Sequence, residues 1–194
     1  MADARTPLIV GLGGSTGSNS GTTALLRACL AKVSAAGAVT AVFDGAALAT
    51  LPLYEAEAGP AAEAASLLEA VRRADGVVLA TPGYHGGMSG LLKNALDHLE
   101  GLRQDPRPYL DGRAVGVIVS AAGWQAAGTA LVSVRSAVHA LRGWPTPFGV
   151  TVNSAEQRPG PDGRLDDRVN GALDILAGQL MEFTRWRVAA RESS

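Results

Sequence analysis

The sequence predicts an α/β fold, a doubly wound parallel sheet of five strands with helices on both faces. Short apolar runs alternate with helical patterns five times along 194 residues, the order that builds parallel sheets through crossover helices. Several of the runs are continuously apolar, as strands buried on both faces require. Right-handed crossovers then leave few topologies. No internal repeat and no linker interrupts the pattern, so a single domain over 1–194 is expected, with flexible ends at 1–7 and 187–194.

Leu8-Ile-Val-Gly-Leu12 is the first strand, closed by Gly13-Gly14. Leu25, Leu26, Cys29, Leu30 and Val33 recur at helical spacing from Thr22 to Ala36, and Gly37 stands at the C-cap position. Val39 to Phe43 is the second strand, ended by Asp44-Gly45. Residues 46–61, rich in Ala, Pro and Gly, read as a long connection. A second helix follows from Ala62 to Ala74, with Leu67, Leu68 and Val71 on one face. Gly76 to Thr81 is the third strand, stopped by Pro82; residues 83–87 are irregular. Ser89 is placed to N-cap a helix to Glu100. After a turn-rich stretch, Ala114 to Val119 is the fourth strand. Ala121 to Gln125 is a loop and Ala127 to Leu141 a helix. Trp144 to Val152 is extended and broken by Pro145 and Pro147. A last helix runs from Asp162 to Arg185.

Composition excludes several classes. A formal charge of −1, from 17 basic against 18 acidic residues, offers no electrostatic reason to bind nucleic acid or an anionic membrane. Cys29 is the single cysteine, so no intrachain disulfide and no zinc cluster is expected. No apolar run approaches the roughly 20 residues that span a bilayer. Met1 to Pro7 is short and polar, unlike a secretory leader. The expectation is a cytoplasmic protein. The 35 Ala and 24 Gly stand against nine aromatics.

Two segments carry the chemistry. Gly13-Gly-Ser-Thr-Gly-Ser-Asn-Ser-Gly-Thr22 joins the first strand to a helix. It gathers hydroxyls and backbone N–H groups at a positive helix end, which suits a phosphate. It is not a dinucleotide fingerprint, because Thr16 stands where the third glycine is needed. It is not a P-loop, because no lysine precedes Cys29. The second segment, Thr81-Pro-Gly-Tyr-His-Gly-Gly-Met-Ser-Gly-Leu-Leu-Lys-Asn-Ala-Leu-Asp97, follows the third strand. In a sheet ordered 2-1-3-4-5 the order reverses between strands one and three, and ligands bind over their carboxyl ends. Glycines there let backbone approach a flat ring, with Tyr84 and His85 beside it.

Gly13-Gly-Ser-Thr, with Ser20 and Thr22 downstream, then Thr81-Pro-Gly-Tyr-His-Gly and Ser89-Gly-Leu-Leu-Lys-Asn-Ala-Leu-Asp97, resembles the NAD(P)H-dependent FMN reductase family of flavodoxin-like proteins. The resemblance covers Leu8 to Val152, and the second motif is the more specific. It implies a flavodoxin-like fold, bound FMN, NADPH or NADH as co-substrate, and reduction of flavin or another small acceptor such as a quinone, azo dye or metal oxyanion. It implies that Ser15, Gly17, Ser20, Gly21 and Thr22 hold the FMN phosphate. Pro82, Gly83, Tyr84, His85 and Gly86 run along the isoalloxazine ring, with the N–H groups of Tyr84 and His85 at its polar edge. Ser120 and Gly123, in Ser120-Ala-Ala-Gly-Trp-Gln125, close the other side. One departure stands out: the family commonly has Arg at the place of Gly17. Its loss removes a phosphate-pairing cation, and Arg5, Arg27 and Lys32 are the candidate replacements.

Because the cofactor carries the hydride chemistry, no acid–base residue is assigned as catalytic. His85 is the one proton-shuttle candidate, and its preferred reading is ring packing through the backbone. His98 and His139 read as surface or interface residues, Lys93 and Asp97 as a surface pair, Asn94 as a structural tie, Cys29 as a buried hydrophobe, and Trp144 as core. Trp124 falls in the loop expected at the flavin. The helix after Ser89 is apolar on more than one face, which in this family implies a homodimer or a tetramer of dimers. A flavin-dependent monooxygenase is a further candidate partner. The alternatives are a flavodoxin-type electron carrier, whose loop Ser15-Thr-Gly17 resembles but whose acidic face the −1 charge lacks, and a non-catalytic nucleotide-binding module.

Overall fold

The computed structural model describes residues 5–17, 19–157 and 164–192. The chain forms β1 (Leu8–Gly13), α1 (Gly21–Ala35), β2 (Val39–Phe43), α2 (Gly45–Leu48), α3 (Ala65–Arg73), β3 (Gly76–Pro82) and α4 (Gly90–Asp97). It continues through β4 (Ala114–Ala121), α5 (Trp124–Ala140), β5 (Trp144–Pro145), β6 (Val150–Asn153) and α6 (Asp167–Glu192). The sheet is parallel in the order β2-β1-β3-β4-β5, with β6 also paired to β4. This is the expected 2-1-3-4-5 sheet, because β5 and β6 together form one interrupted fifth strand. The interruption falls at Thr146–Gly149, around Pro147, which has no N–H to give a ladder.

Strand alternation divides the core in two. Val10, Leu12, Val77, Leu79, Val115, Val117 and Val119 face α3, α4 and α5. Ile9, Val78, Ala80, Ile118 and Val150 face α1 and α6. Each such valine, leucine or isoleucine side chain contributes about 1.5–3 kcal/mol by leaving water. β3 and β4 are buried along their whole length, which explains their unbroken apolar sequence.

Several expectations are corrected. The connection 46–61 holds a short helix at its start, because Asp44 accepts from the Ala47 N–H at 3.3 Å and caps α2. Residues 62–74 divide into a 3-10 turn and α3. α4 ends at Asp97 and passes into a 3-10 turn over His98–Leu102. α5 begins at Trp124, inside the expected loop. α6 runs to Glu192, so residues 187–192 are helical; its expected start at Asp162 and the expected flexible ends at 1–4 and 193–194 lie outside the described residues.

Two aromatic placements also differ. Trp144 is 59% exposed, because β5 is the sheet's edge and the indole lies against Phe183 at 5.5 Å. His98 is 1% exposed: its Nε2 bonds the Pro52 carbonyl at 3.0 Å, and its ring meets Tyr54 edge-on. Cys29 is buried as expected, and burial pushes its thiol up to about 12.

Candidate functional site

Three loops meet at the carboxyl ends of β1, β3 and β4. The first leaves β1 beside β3, where the Gly14 N–H donates to the Ala80 carbonyl at 2.8 Å. It turns through Ser15, Thr16 and Gly17 and enters α1 at Ser20; Ser18 lies outside the described residues. Ser20 Oγ accepts from the Thr23 N–H at 3.2 Å, the N-cap bond that starts the helix. Its own O–H stays available to donate. A Cβ placed on Gly17 would have Ser20 Cβ at 3.8 Å and Ser15 Oγ at 4.0 Å as its nearest neighbours, so these three residues stand together at the start of α1. Gly21 begins the helix and Thr22 is buried behind it. The first-turn N–H groups and the positive dipole end of α1 lie at the same point.

The end of β2 presses against the same loop. A Cβ on Gly45 would collide with the Ser15 carbonyl, so only glycine fits there. Asp44, beside it, pairs with Arg27 at 3.0 Å. The Ala47 N–H, and secondarily Arg27, hold the Asp44 carboxyl below the usual carboxylate range. Of the three cations considered as replacements for the missing loop arginine, Arg27 alone stands near the loop. Arg5 pairs with Asp75 and Lys32 with Asp174, both at the sheet's amino edge.

The second loop is pinned by Thr81. Its hydroxyl donates to the Pro82 carbonyl and accepts from the Ser89 N–H, both at 2.9 Å, so the loop's two ends are drawn together. Ser89 then caps α4 through the Leu92 N–H, as expected. Between them, Tyr84 and Gly87 exchange backbone hydrogen bonds of 3.0 and 2.9 Å. His85 and Gly86 lie at φ +50° and +83°, the signature of a type I′ turn. This corrects one expectation: the Tyr84 N–H is consumed inside the turn. Among the described residues, the N–H groups of His85 and Gly86 have no partner within the chain.

The third loop follows β4. The Gly83 N–H donates to the Ser120 carbonyl at 2.8 Å, joining it to the second loop. Gly123, at φ +140°, leads into α5 without a side-chain cap. Tyr84 and Trp124 are 57% and 50% exposed on the rim. Ser15, Gly17, Ser20, Gly21 and Thr22 are thus gathered in one loop and helix start, Pro82 to Gly86 in the next, and Ser120 and Gly123 in the third. Sequence reasoning included Thr81 in the second motif without giving its side chain a role, and missed Asp44-Gly45 as parts of this site. A glycine after β2 was the available signal. Asn94 ties the connection to α4 as expected, accepting from the Tyr54 N–H at 2.8 Å and donating to the Pro52 carbonyl at 2.9 Å. Lys93 and Asp97 form the expected surface pair. A groove of about 460 Å³ between α1 and α6, lined by Lys32, Asp174, Met181 and Trp186, lies toward the opposite edge.

The profile of the NADPH-dependent FMN reductase family matches residues 7–157, which contain all three loops. The chain belongs to this family. An FMN-dependent NADPH-azoreductase of Staphylococcus haemolyticus is 32% identical over 118 residues, 59% of each chain. A quinone reductase of Escherichia coli is 32% identical over 146 residues, 70% of this chain and 73% of that one. Among solved structures, the flavoenzyme NAD(P)H:(acceptor) oxidoreductase FerB of Paracoccus denitrificans superposes with a TM-score of 0.73 at 19% identity. It covers 92% of this chain and 99% of that one. The apo form of an NADH:FMN oxidoreductase gives 0.64 at 24% identity over 90% of each. These structures share the fold, and the family is the one the two loop motifs imply.

Proposed function

We propose that this chain is an FMN-dependent NAD(P)H oxidoreductase that passes hydride from nicotinamide by way of the flavin to a small acceptor. Quinones and azo compounds are the acceptor classes its relatives' names support; free flavin and metal oxyanions are the others. The observation that carries the reading is the meeting of three backbone-rich loops over β1, β3 and β4, where the sheet order reverses.

The residues present fit FMN. In this reading the group of Ser15, Gly17 and Ser20 takes the phosphate, and the N–H groups of Gly21 and Thr22 and the Ser20 hydroxyl donate to it. Pro82, Gly83, Tyr84, His85 and Gly86 border the ring. The free N–H groups of His85 and Gly86, rather than that of Tyr84, polarise its edge. Ser120 and Gly123 bound the far side. His85 acts through its backbone in the turn, and no side chain is assigned proton transfer. The chain is one domain acting as a homodimer or dimer of dimers, with the half-exposed Leu91 of α4 toward the partner. No helix among the described residues is long and apolar enough to cross a membrane, and a cytoplasmic site of action is proposed.

The test is direct. Purified protein is mixed with FMN and then NADPH or NADH, following flavin bleaching anaerobically and nicotinamide oxidation in air. Bleaching with either nicotinamide is expected. FMN binding without bleaching would leave an electron carrier instead, and absence of FMN binding would remove both readings.

A further inference from the structure

Arg27 lies outside the loop after β1 but on its side of α1. Ser20, Thr23 and Arg27 follow at i, i+3 and i+7, so they share one face of the helix. Long side chains on a helix lean toward its N-terminus, and Arg27 ends on Asp44: its Nη2 donates to Asp44 Oδ2 at 3.0 Å. Among the described residues its other guanidinium N–H groups have no partner. Asp44 in turn is fixed against the loop. Its second oxygen accepts from the Ala47 N–H. Its Cα stands 3.5 Å from the point where a Cβ on Gly13 would lie, and a Cβ on the next residue, Gly45, would collide with the Ser15 carbonyl and stand 2.9 Å from the Thr16 nitrogen. The residue that bears this carboxylate is therefore packed against both Gly13 and Ser15.

The segment from Gly13 to Thr22 contains no lysine or arginine. Its donors are neutral N–H and O–H groups. A phosphate held there meets the positive end of α1. It also meets the field of Asp44 from the neighbouring strand end, and like charges at such separations repel unless salt or a counter-charge intervenes. Arg27 is the cation set against that carboxylate. Its side chain is 63% exposed and that of Asp44 29%, so dissolved salt reaches the pair.

We propose that Arg27 is a positioning residue for the flavin phosphate: acting through Asp44, it neutralises the carboxylate beside the loop and so sets how strongly FMN is held over unphosphorylated flavin. The inference rests on the FMN reading above. The two charges of the pair act on the phosphate with opposite sign, so removing one or the other moves FMN affinity in opposite directions. Neither residue belongs to the loops assigned to the ring, so riboflavin does not respond to either.

The test titrates the full chain, stripped of flavin, with FMN and with riboflavin by flavin fluorescence quenching at low and at high salt. At low salt Arg27→Gln should raise the FMN Kd about three- to tenfold and leave the riboflavin Kd unchanged. Asp44→Asn, which keeps a capping side chain for α2, should lower the FMN Kd about two- to fivefold. The double variant should return to within about twofold of wild type. Arg27→Lys should bind FMN as wild type does, because charge rather than the guanidinium fork carries the effect. High salt should shrink every one of these differences. A purely structural role for the pair would weaken FMN in both single variants, and riboflavin with it; that pattern overturns the proposal. A wild type that binds FMN while Arg27→Gln binds it equally well overturns this inference alone. A wild type that binds neither flavin removes the FMN reading and this inference together.

Discussion

Ser20 caps α1 and, in the proposed function, also donates to the FMN phosphate, and three substitutions tell the two roles apart. Its Oγ accepts from the Thr23 N–H at 3.2 Å, and its O–H is free to donate beside Ser15 and Gly17. Ser20→Ala removes both. Loss of an N-cap costs about 1 kcal/mol, which in a chain of this size lowers Tm by about 2–4 °C. Loss of one hydrogen bond to a charged phosphate costs about 1.5–3 kcal/mol, so the Kd for FMN should rise about 10- to 150-fold. Riboflavin, which lacks the phosphate, should bind both proteins alike. Ser89 supplies the control, because it caps α4 through the Leu92 N–H at the same 3.2 Å. Ser89→Ala should lower Tm comparably and leave the discrimination between FMN and riboflavin intact. Ser20→Asp keeps a capping oxygen but sets a negative charge against the phosphate, so it should retain Tm and lose FMN most severely. The measurements are flavin fluorescence quenching for Kd and thermal unfolding for Tm. An unchanged FMN Kd in Ser20→Ala, or an equal loss of riboflavin, refutes the placement of the phosphate.

Four further outcomes are expected. His85→Asn should keep flavin reduction within a few-fold of wild type, since asparagine accepts the φ of +50°. His85→Val should lose about 1–2 kcal/mol in thermal unfolding. Gly45→Ala should abolish FMN binding in the fluorescence titration even where the protein folds, because its Cβ collides with the Ser15 carbonyl and displaces it. Cys29, with its buried thiol pushed up to about 12, should resist alkylation in the native protein and react in denaturant, as mass spectrometry would show. Asp44 is held below its ordinary value of 3.8, so its contribution to stability is present above that pH and is lost as pH falls through the lower, folded value. The Tm difference between wild type and Asp44→Asn should therefore shrink as pH is lowered from 6 to 3.

The fold was legible because apolar runs and helical spacing coincide with the burial that parallel sheets demand. The loops after β1 and β3 were legible as loops because glycine and hydroxyl residues cluster where strands end. What failed was of another kind. Trp144 reads as core from hydrophobicity, yet the end of the sheet exposes it. His98 reads as surface from its place on a helix, yet the Pro52 carbonyl on a connection 46 residues away receives its ring nitrogen. The Tyr84 N–H reads as a free donor, yet the type I′ turn spends it on Gly87.

The sequence by itself determined the element order, the sheet class and the two loops, since each follows from short-range pattern: period, caps and glycine placement. The tertiary structure decided which groups are near one another and which remain free. Gly45 packs against the loop after β1 only because β2 lies beside β1. Arg27 rather than Lys32 stands near that loop because α1 runs antiparallel to the strands and carries its later residues to the far edge, where Arg5, just before β1, also lies. Arg5, Arg107, Arg113, Arg187 and Arg191, more than one hundred and eighty residues apart at their extremes, meet because the segment before β1, the turn before β4 and the end of α6 all reach the amino edge of the sheet. Local pattern carries no record of such distances, because proximity across the chain is created by packing.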